Sequence, residues 1–144
     1  MTNLVSACET FVLFPLGKKR FALPAVKVSE LAREDHPQTF PHTTPLLTGV
    51  ILRRNQIVPV ADIAPVLIGP ETPARKFYLV VNRVGKRKES RAAIPVSGEC
   101  ELANAERLPV TGKLPAYVSG LLSLHDEIVE VLDIERLMSA EVRA

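Results

Sequence analysis

Ser123, His125 and Asp126 crowd one short segment and bring together the residue types of a nucleophile, a base and an orienting acid. A working triad needs side chains that converge from separate parts of a fold, which neighbours in one turn seldom do; a polar hairpin turn is the simpler reading. His36 and His42 lie in the Pro- and Thr-rich stretch HPQTFPHTTP. Their spacing misses the i, i+4 face of a helical metal site, and no cysteine or carboxylate cluster accompanies them, so they read as surface-loop residues. Cys8 and Cys100 stand far apart without CxxC spacing, which supports neither a zinc site nor a dithiol redox motif. The chain contains no GxGxxG, Walker A or HExxH pattern. Asp62 and Asp133 each follow a similar apolar strand and read as helix N-caps rather than as an acid/base pair. No catalytic residue, metal ligand or cofactor is expected.

Two basic stretches could instead bind a partner. The segment RVGKRKESR at 83–91 carries five basic residues and one acid. It could meet phosphate or an acidic protein face, or it could be a solvated hairpin tip that keeps a sheet edge from pairing. Arg53-Arg54-Asn55 lies at a short turn directly after the apolar Gly49-Val50-Ile51-Leu52, where a long polar side chain must project outward. An exposed arginine on a rigid hairpin is a good interface anchor.

The elements that must hold these residues are short strands. The 144 residues suit one domain, and 47% hydrophobic against 24% charged residues is the balance of a globular protein. A net charge of +2 is too even for a dedicated polyanion binder, and the absence of Trp argues against a base-stacking platform. The start MTNLVSACETF lacks a basic, then apolar, leader, and no apolar run approaches the ~18 residues needed to span a bilayer, so a cytoplasmic location is expected. Apolar runs paired about turn residues predict hairpins at 11–16 with 21–28, 48–53 with 56–62, 76–84 with 91–97, and 118–124 with 127–132. Val28 and Glu30 then stand on alternate positions at the end of the second strand. Prolines 15, 24, 59 and 95 fall inside these runs and suggest edge positions or bulges. Short helices are expected around 63–68 and from Asp133 to Val142, the latter with Ile134, Leu137 and Met138 at helical spacing.

An internal repeat organises the strands. At a constant offset of 71, residues 22–63 match 93–134 with 11 identities in 42 pairs, where composition alone gives about three. Ile57-Val58-x-Val60-x-Asp62-Ile63 recurs as Ile128-Val129-x-Val131-x-Asp133-Ile134, and Gly49 recurs as Gly120. An offset of 66 matches Phe11-Val12-Leu13-Phe14 with Phe77-Tyr78-Leu79-Val80, which makes the loop of the second copy about five residues longer. The reading is one domain over 1–144, with repeat units at about 10–68 and 76–138, each too small to bury a core alone. Two small β-barrels paired or interlocked about a pseudo-twofold axis satisfy that constraint.

The segment TPLLTGVILRRNQIVPVADI (44–63), the opening Phe14-Pro15-Leu16-Gly17 through Phe21-Ala22-Leu23-Pro24 with Val28 and Glu30-Leu31, and the closing Gly120 to Leu137 resemble the pattern of CheW-like chemotaxis adaptor domains. The resemblance runs over about 11–138 and implies an all-β fold of two similar five-stranded barrels related by a pseudo-twofold, with short helices including a C-terminal one. It implies a non-catalytic adaptor that couples the cytoplasmic tip of a chemoreceptor to the regulatory domain of a CheA-type histidine kinase and is recruited by receptors to the inner face of the membrane without inserting in it. Val28, Glu30, Gly49 and Arg54 match the family's receptor-contacting motif, while Asn55 replaces its Gly and Leu52-Arg53 its Asn-Leu. The other reading of the residues is a small β-barrel that binds nucleic acid through the basic loop 83–91, by way of Lys86-Arg87-Lys88.

Overall fold

The computed structural model describes residues 8–33, 38, 46–69, 76–83, 91–110 and 112–143, with side chains as far as 138. Its strands are β1 (Cys8–Leu16), β2 (Lys19–Pro24), β3 (Val28–Arg33), β4 (Leu47–Arg53), β5 (Gln56–Ala61), β6 (Phe77–Asn82), β7 (Arg91–Val96), β8 (Glu101–Glu106), β9 (Val118–Leu124) and β10 (Glu127–Leu132). Helix α1 (Ala64–Ile68) follows β5, and α2 (Ile134–Arg143) follows β10. The four expected hairpins are present. The second strand ends earlier than expected, at Pro24; a 3-10 turn at Ala25–Lys27 then redirects the chain into β3. Val28 and Glu30 therefore open a separate strand, with a register shift between them. β3 and β8 occupy matching places in the two repeats. Their mixed sequences, VSELAR and ELANAE, give little apolar alternation because these edge strands bury almost nothing: Ala32 is the one buried residue of β3, and β8 has none.

The two sheets are built by exchange. One has the order β8-β1-β2-β10-β9 and the other β3-β6-β7-β5-β4. Each repeat gives its first hairpin to one sheet and its last three strands to the other, so the orders are the same when the repeats are interchanged. Both sheets curl until their edges meet. Gln38 exchanges backbone hydrogen bonds of 2.9 and 2.8 Å with Val50, and the Leu108 amide donates to the Leu121 carbonyl at 2.8 Å. The symmetry extends to single bonds: the Asp62 amide donates to Leu46 and the Asp133 amide to Tyr117, both at 2.8 Å.

Register corrects two sequence readings. Phe11 pairs with Pro24 as Tyr78 pairs with Pro95, so β1 and β6 are related by 67 and the second hairpin loop is four residues longer. The four prolines lie in interior strands rather than at edges. Each is registered with only one neighbour: β8 stops at Leu13, and the parallel contacts are confined to Phe21 and Ala22 with β10 and to Val60 with Ala93. A proline there leaves the ladder intact because the second neighbour does not use its position.

The buried side chains form three clusters. Phe11, Leu13, Ala22, Leu122, Val129 and Val131 fill the first barrel. Ala32, Ile51, Val58, Val60, Tyr78, Val80 and Ala93 fill the second. The largest cluster lies between the barrels and includes Phe14, Phe21, Leu79, Ile94 and Val96, with Ile134, Leu137 and Met138 of α2 packed against them. Asp133 caps α2 as expected, its Oδ1 accepting from the Arg136 amide at 3.2 Å. Asp62 does not have the matching role: Ile63 is the N-cap of α1 and supplies no side-chain cap.

Candidate partner-binding surface

The β4–β5 turn is held by two residues in left-handed backbone conformations, Arg54 (φ 53°) and Asn55 (φ 64°). This is the geometry of a two-residue type I′ turn, and Asn adopts it more readily than most residues. Leu52 and Ile57 pair across the strands just behind the turn. Both face outward, at 60% and 71% exposed. Arg54 itself is 77% exposed. A charged anchor and two apolar side chains thus share a pre-ordered hairpin tip.

Alternation along β4 places Gly49, Ile51 and Arg53 on the inward side, so Arg53 points into the barrel mouth rather than to the surface. There its Nη2 donates to Oε1 of Glu30 at 2.9 Å across the closed edge between β3 and β4. Arg54 Nε lies 4.0 Å from Oε2 of the same carboxylate, beyond hydrogen-bond reach. Arg91, at the start of β7, donates to Oε1 of Gln56. The Arg53 hydrogen bond holds the Glu30 carboxyl below the usual carboxylate range against the opposing effect of burial, and the charges of Arg53, Arg54 and Arg91 act in the same direction. Among the described residues this mouth holds three guanidiniums against one carboxylate, a net charge of +2.

The mouth of the first barrel has the same plan with other residues. Arg20, the counterpart of Arg91, binds Glu101 at 3.2 Å and Glu127 at 2.7 Å, the counterparts of Glu30 and Gln56. The β9–β10 turn, again with two left-handed residues, carries His125 and Asp126 in place of Arg54 and Asn55. Among the described residues this mouth presents the carboxylates of Glu101, Glu127 and Asp126 beside Arg20, with the exposed Lys18 at the adjoining β1–β2 turn. No side-chain hydrogen bond joins Ser123, His125 and Asp126, which are exposed turn and strand residues.

Of the four residues expected at the partner surface, the structure brings Glu30 and Arg54 together. Val28 is half-buried and packs against the central cluster. Gly49 is buried, and a Cβ on it would stand 2.7 Å from the Gln38 carbonyl oxygen. That close approach, which closes the sheet edge, explains the glycine without any partner. Sequence reasoning missed Arg53 as the main ligand of Glu30. The signal was its parity with Gly49 and Ile51, which makes it inward-facing and in need of a carboxylate. His36, His42 and Lys86-Arg87-Lys88 lie outside the described residues. The two ends of the basic loop are engaged within the molecule: Arg83 makes a bidentate pair with Glu135 at 3.1 and 3.0 Å, and Arg91 holds Gln56.

A sequence model of the CheW-like domain matches residues 10–142. The chain belongs to the CheW-like family. The chemotaxis protein CheW of Klebsiella aerogenes is 25% identical over 142 residues, spanning 94% of this chain and 85% of the relative. The crystal structure of the scaffolding protein TtCheW from Thermoanaerobacter tengcongensis shares the fold, with a TM-score of 0.74 and 22% identity over 90% of this chain and 86% of that one. The CheW-like match covers both repeats, in agreement with two sheets that each draw strands from both. Among the described residues no group of His, Cys, Asp and Glu could hold a metal ion, and no helix is long and apolar enough to cross a membrane.

Proposed function

We propose that this CheW-like domain is a non-catalytic adaptor that couples the cytoplasmic tip of chemoreceptors to the regulatory domain of a CheA-type histidine kinase, acting in the cytoplasm at receptor clusters. The observation that carries the receptor half of this reading is the hairpin tip at 52–57. Arg54 is exposed on a turn fixed by two left-handed residues and stands beside Leu52, Ile57 and the carboxylate of Glu30. A pre-ordered anchor loses little freedom on binding, so more of its contact energy appears as affinity. Membership of a family whose named relatives are a chemotaxis protein and a scaffolding protein supports the pathway.

The test is Arg54→Glu, assayed against cytoplasmic fragments of the chemoreceptors encoded in the same genome and against the kinase regulatory domain. Receptor binding should weaken by ~1–3 kcal/mol. Thermal stability should stay within ~0.5 kcal/mol, because the side chain is exposed and its 4.0 Å contact with Glu30 is weak. Receptor binding at wild-type strength by the folded variant overturns the site.

A further inference from the structure

A cavity of about 200 Å³ lies where the end of β2, the 3-10 turn and the end of β6 meet the start of α2. We propose that it binds a small carboxylate with an apolar body, as a ligand site separate from the hairpin tip at 52–57. The space suits a molecule a little larger than benzene, which an apolar cavity of ~150 Å³ already holds.

The repeat supplies an internal control. At the equivalent place in the other repeat, Gly98 stands for Lys27, Pro15 for Asn82 and Ala64 for Glu135. There the gap is closed: the Ser97 amide donates to the Pro15 carbonyl at 3.0 Å, and a Cβ on Gly98 would lie 3.5 Å from the Pro15 ring. On the cavity side the chain makes the 3-10 turn Ala25–Lys27 instead, and among the described residues no such bond joins Val26 to Asn82. The opening is therefore not a demand of the fold. Leu23, Val81, Leu132 and Ile134 give it an apolar wall. The charges around it are settled within the molecule, with one exception. Arg107 holds Glu9 at 2.7 Å, Glu135 holds Arg83 at 3.0 Å, and Asp133 holds the Arg136 amide at 3.2 Å and its guanidinium at 3.8 Å. Lys27 and Asn82 have no side-chain partner among the described residues. The wall thus faces one uncompensated cation and a neutral amide donor, which complement a carboxylate on a short hydrocarbon. An amine in the same place would meet Lys27 as a like charge.

Sodium hexanoate, hexanol and hexylamine, titrated into the whole chain and followed by amide chemical shifts, test this. Hexanoate should shift the amides of Leu23, Lys27, Val81, Asn82, Ser119 and Ile134 in a saturable way, with a Kd of about 1 mM for so few atoms. The equivalent amides of Ile94, Gly98, Phe14, Thr48 and Ile63 should stay in place. Hexanol and hexylamine should bind about tenfold more weakly or less, as should hexanoate to Lys27→Gln. Lys27 is exposed, so that variant keeps the fold, which unchanged shifts away from the cavity verify. The proposal is overturned if hexanoate gives no saturable shift by ~20 mM, if the shifts spread equally to the equivalent amides, if hexylamine binds as tightly, or if Lys27→Gln leaves the affinity unchanged. Equal binding of hexanoate and hexanol also overturns it, because the cavity then reads the hydrocarbon and not the carboxylate.

Discussion

Glu30 and Arg53 illustrate how an ion pair can be more structural than it looks. Their side chains are 15% and 30% exposed, and Glu30 Oε2 is buried without a hydrogen bond. Arg53→Leu strands a carboxylate in that setting and should destabilise the fold by ~1–2 kcal/mol, while the double variant Glu30→Leu/Arg53→Leu should regain much of the loss. The pH dependence follows from the lowered pKa of Glu30. A folded pKa below the unfolded one gives stability that is present above the unfolded value and is lost as pH falls through the folded value. The deficit of Arg53→Leu against wild type in urea unfolding should therefore be largest near neutral pH and shrink below the ordinary carboxylate range. The cysteines offer a separate check. Burial pushes the Cys100 thiol up to about 11, so it stays protonated at neutral pH, whereas Cys8 is exposed. A thiolate-directed reagent should label Cys8 well before Cys100 in the native chain, and the two should react alike in denaturant.

Closing each sheet edge makes different demands on two matched glycines. An alanine at 49 would set its Cβ 2.7 Å from a backbone oxygen, so the strand edge must shift. Gly49→Ala should cost about 1–3 kcal/mol in chemical denaturation. At 120 the nearest atoms belong to the Arg107 side chain, the closest at 3.1 Å, and a side chain can move aside. Gly120→Ala should fall within about 1 kcal/mol of wild type, helped by the smaller entropy loss of Ala in a strand. Element boundaries were legible in the sequence where one face is strongly apolar, as in β1, β4, β6 and β10. β3 and β8 were not, because they bury one residue and none respectively and so carry no apolar face to read. The site was half legible. Arg54 could be placed from its turn, a local feature, but the pairing of Glu30 with Arg53 depends on β3 meeting β4 across a closed edge, which no local pattern reports. The repeat carried more than any single motif, since matching residues had to occupy matching places.

At the scale of the molecule, neither half of the chain contains a complete sheet. Removing either repeat leaves unpaired edges and three exposed core surfaces, so residues 1–69 alone should be unfolded or aggregated by circular dichroism and sedimentation. The whole chain should unfold in a single transition, with circular dichroism and Tyr fluorescence coincident along urea. A partly unfolded species holding one intact barrel would contradict the interlock. The exchange of strands also bears on descent. One repeat by itself could satisfy its edges only by swapping strands with a second copy, as a twofold homodimer. In such a dimer every substitution at one mouth is duplicated at the other, so the two must carry the same charge. Joining the copies in one chain lifts that restriction. A duplicated gene could then acquire Arg54 and Asn55 at one tip and His125 and Asp126 at the other, and a symmetric ancestor could become a molecule with two unlike ends.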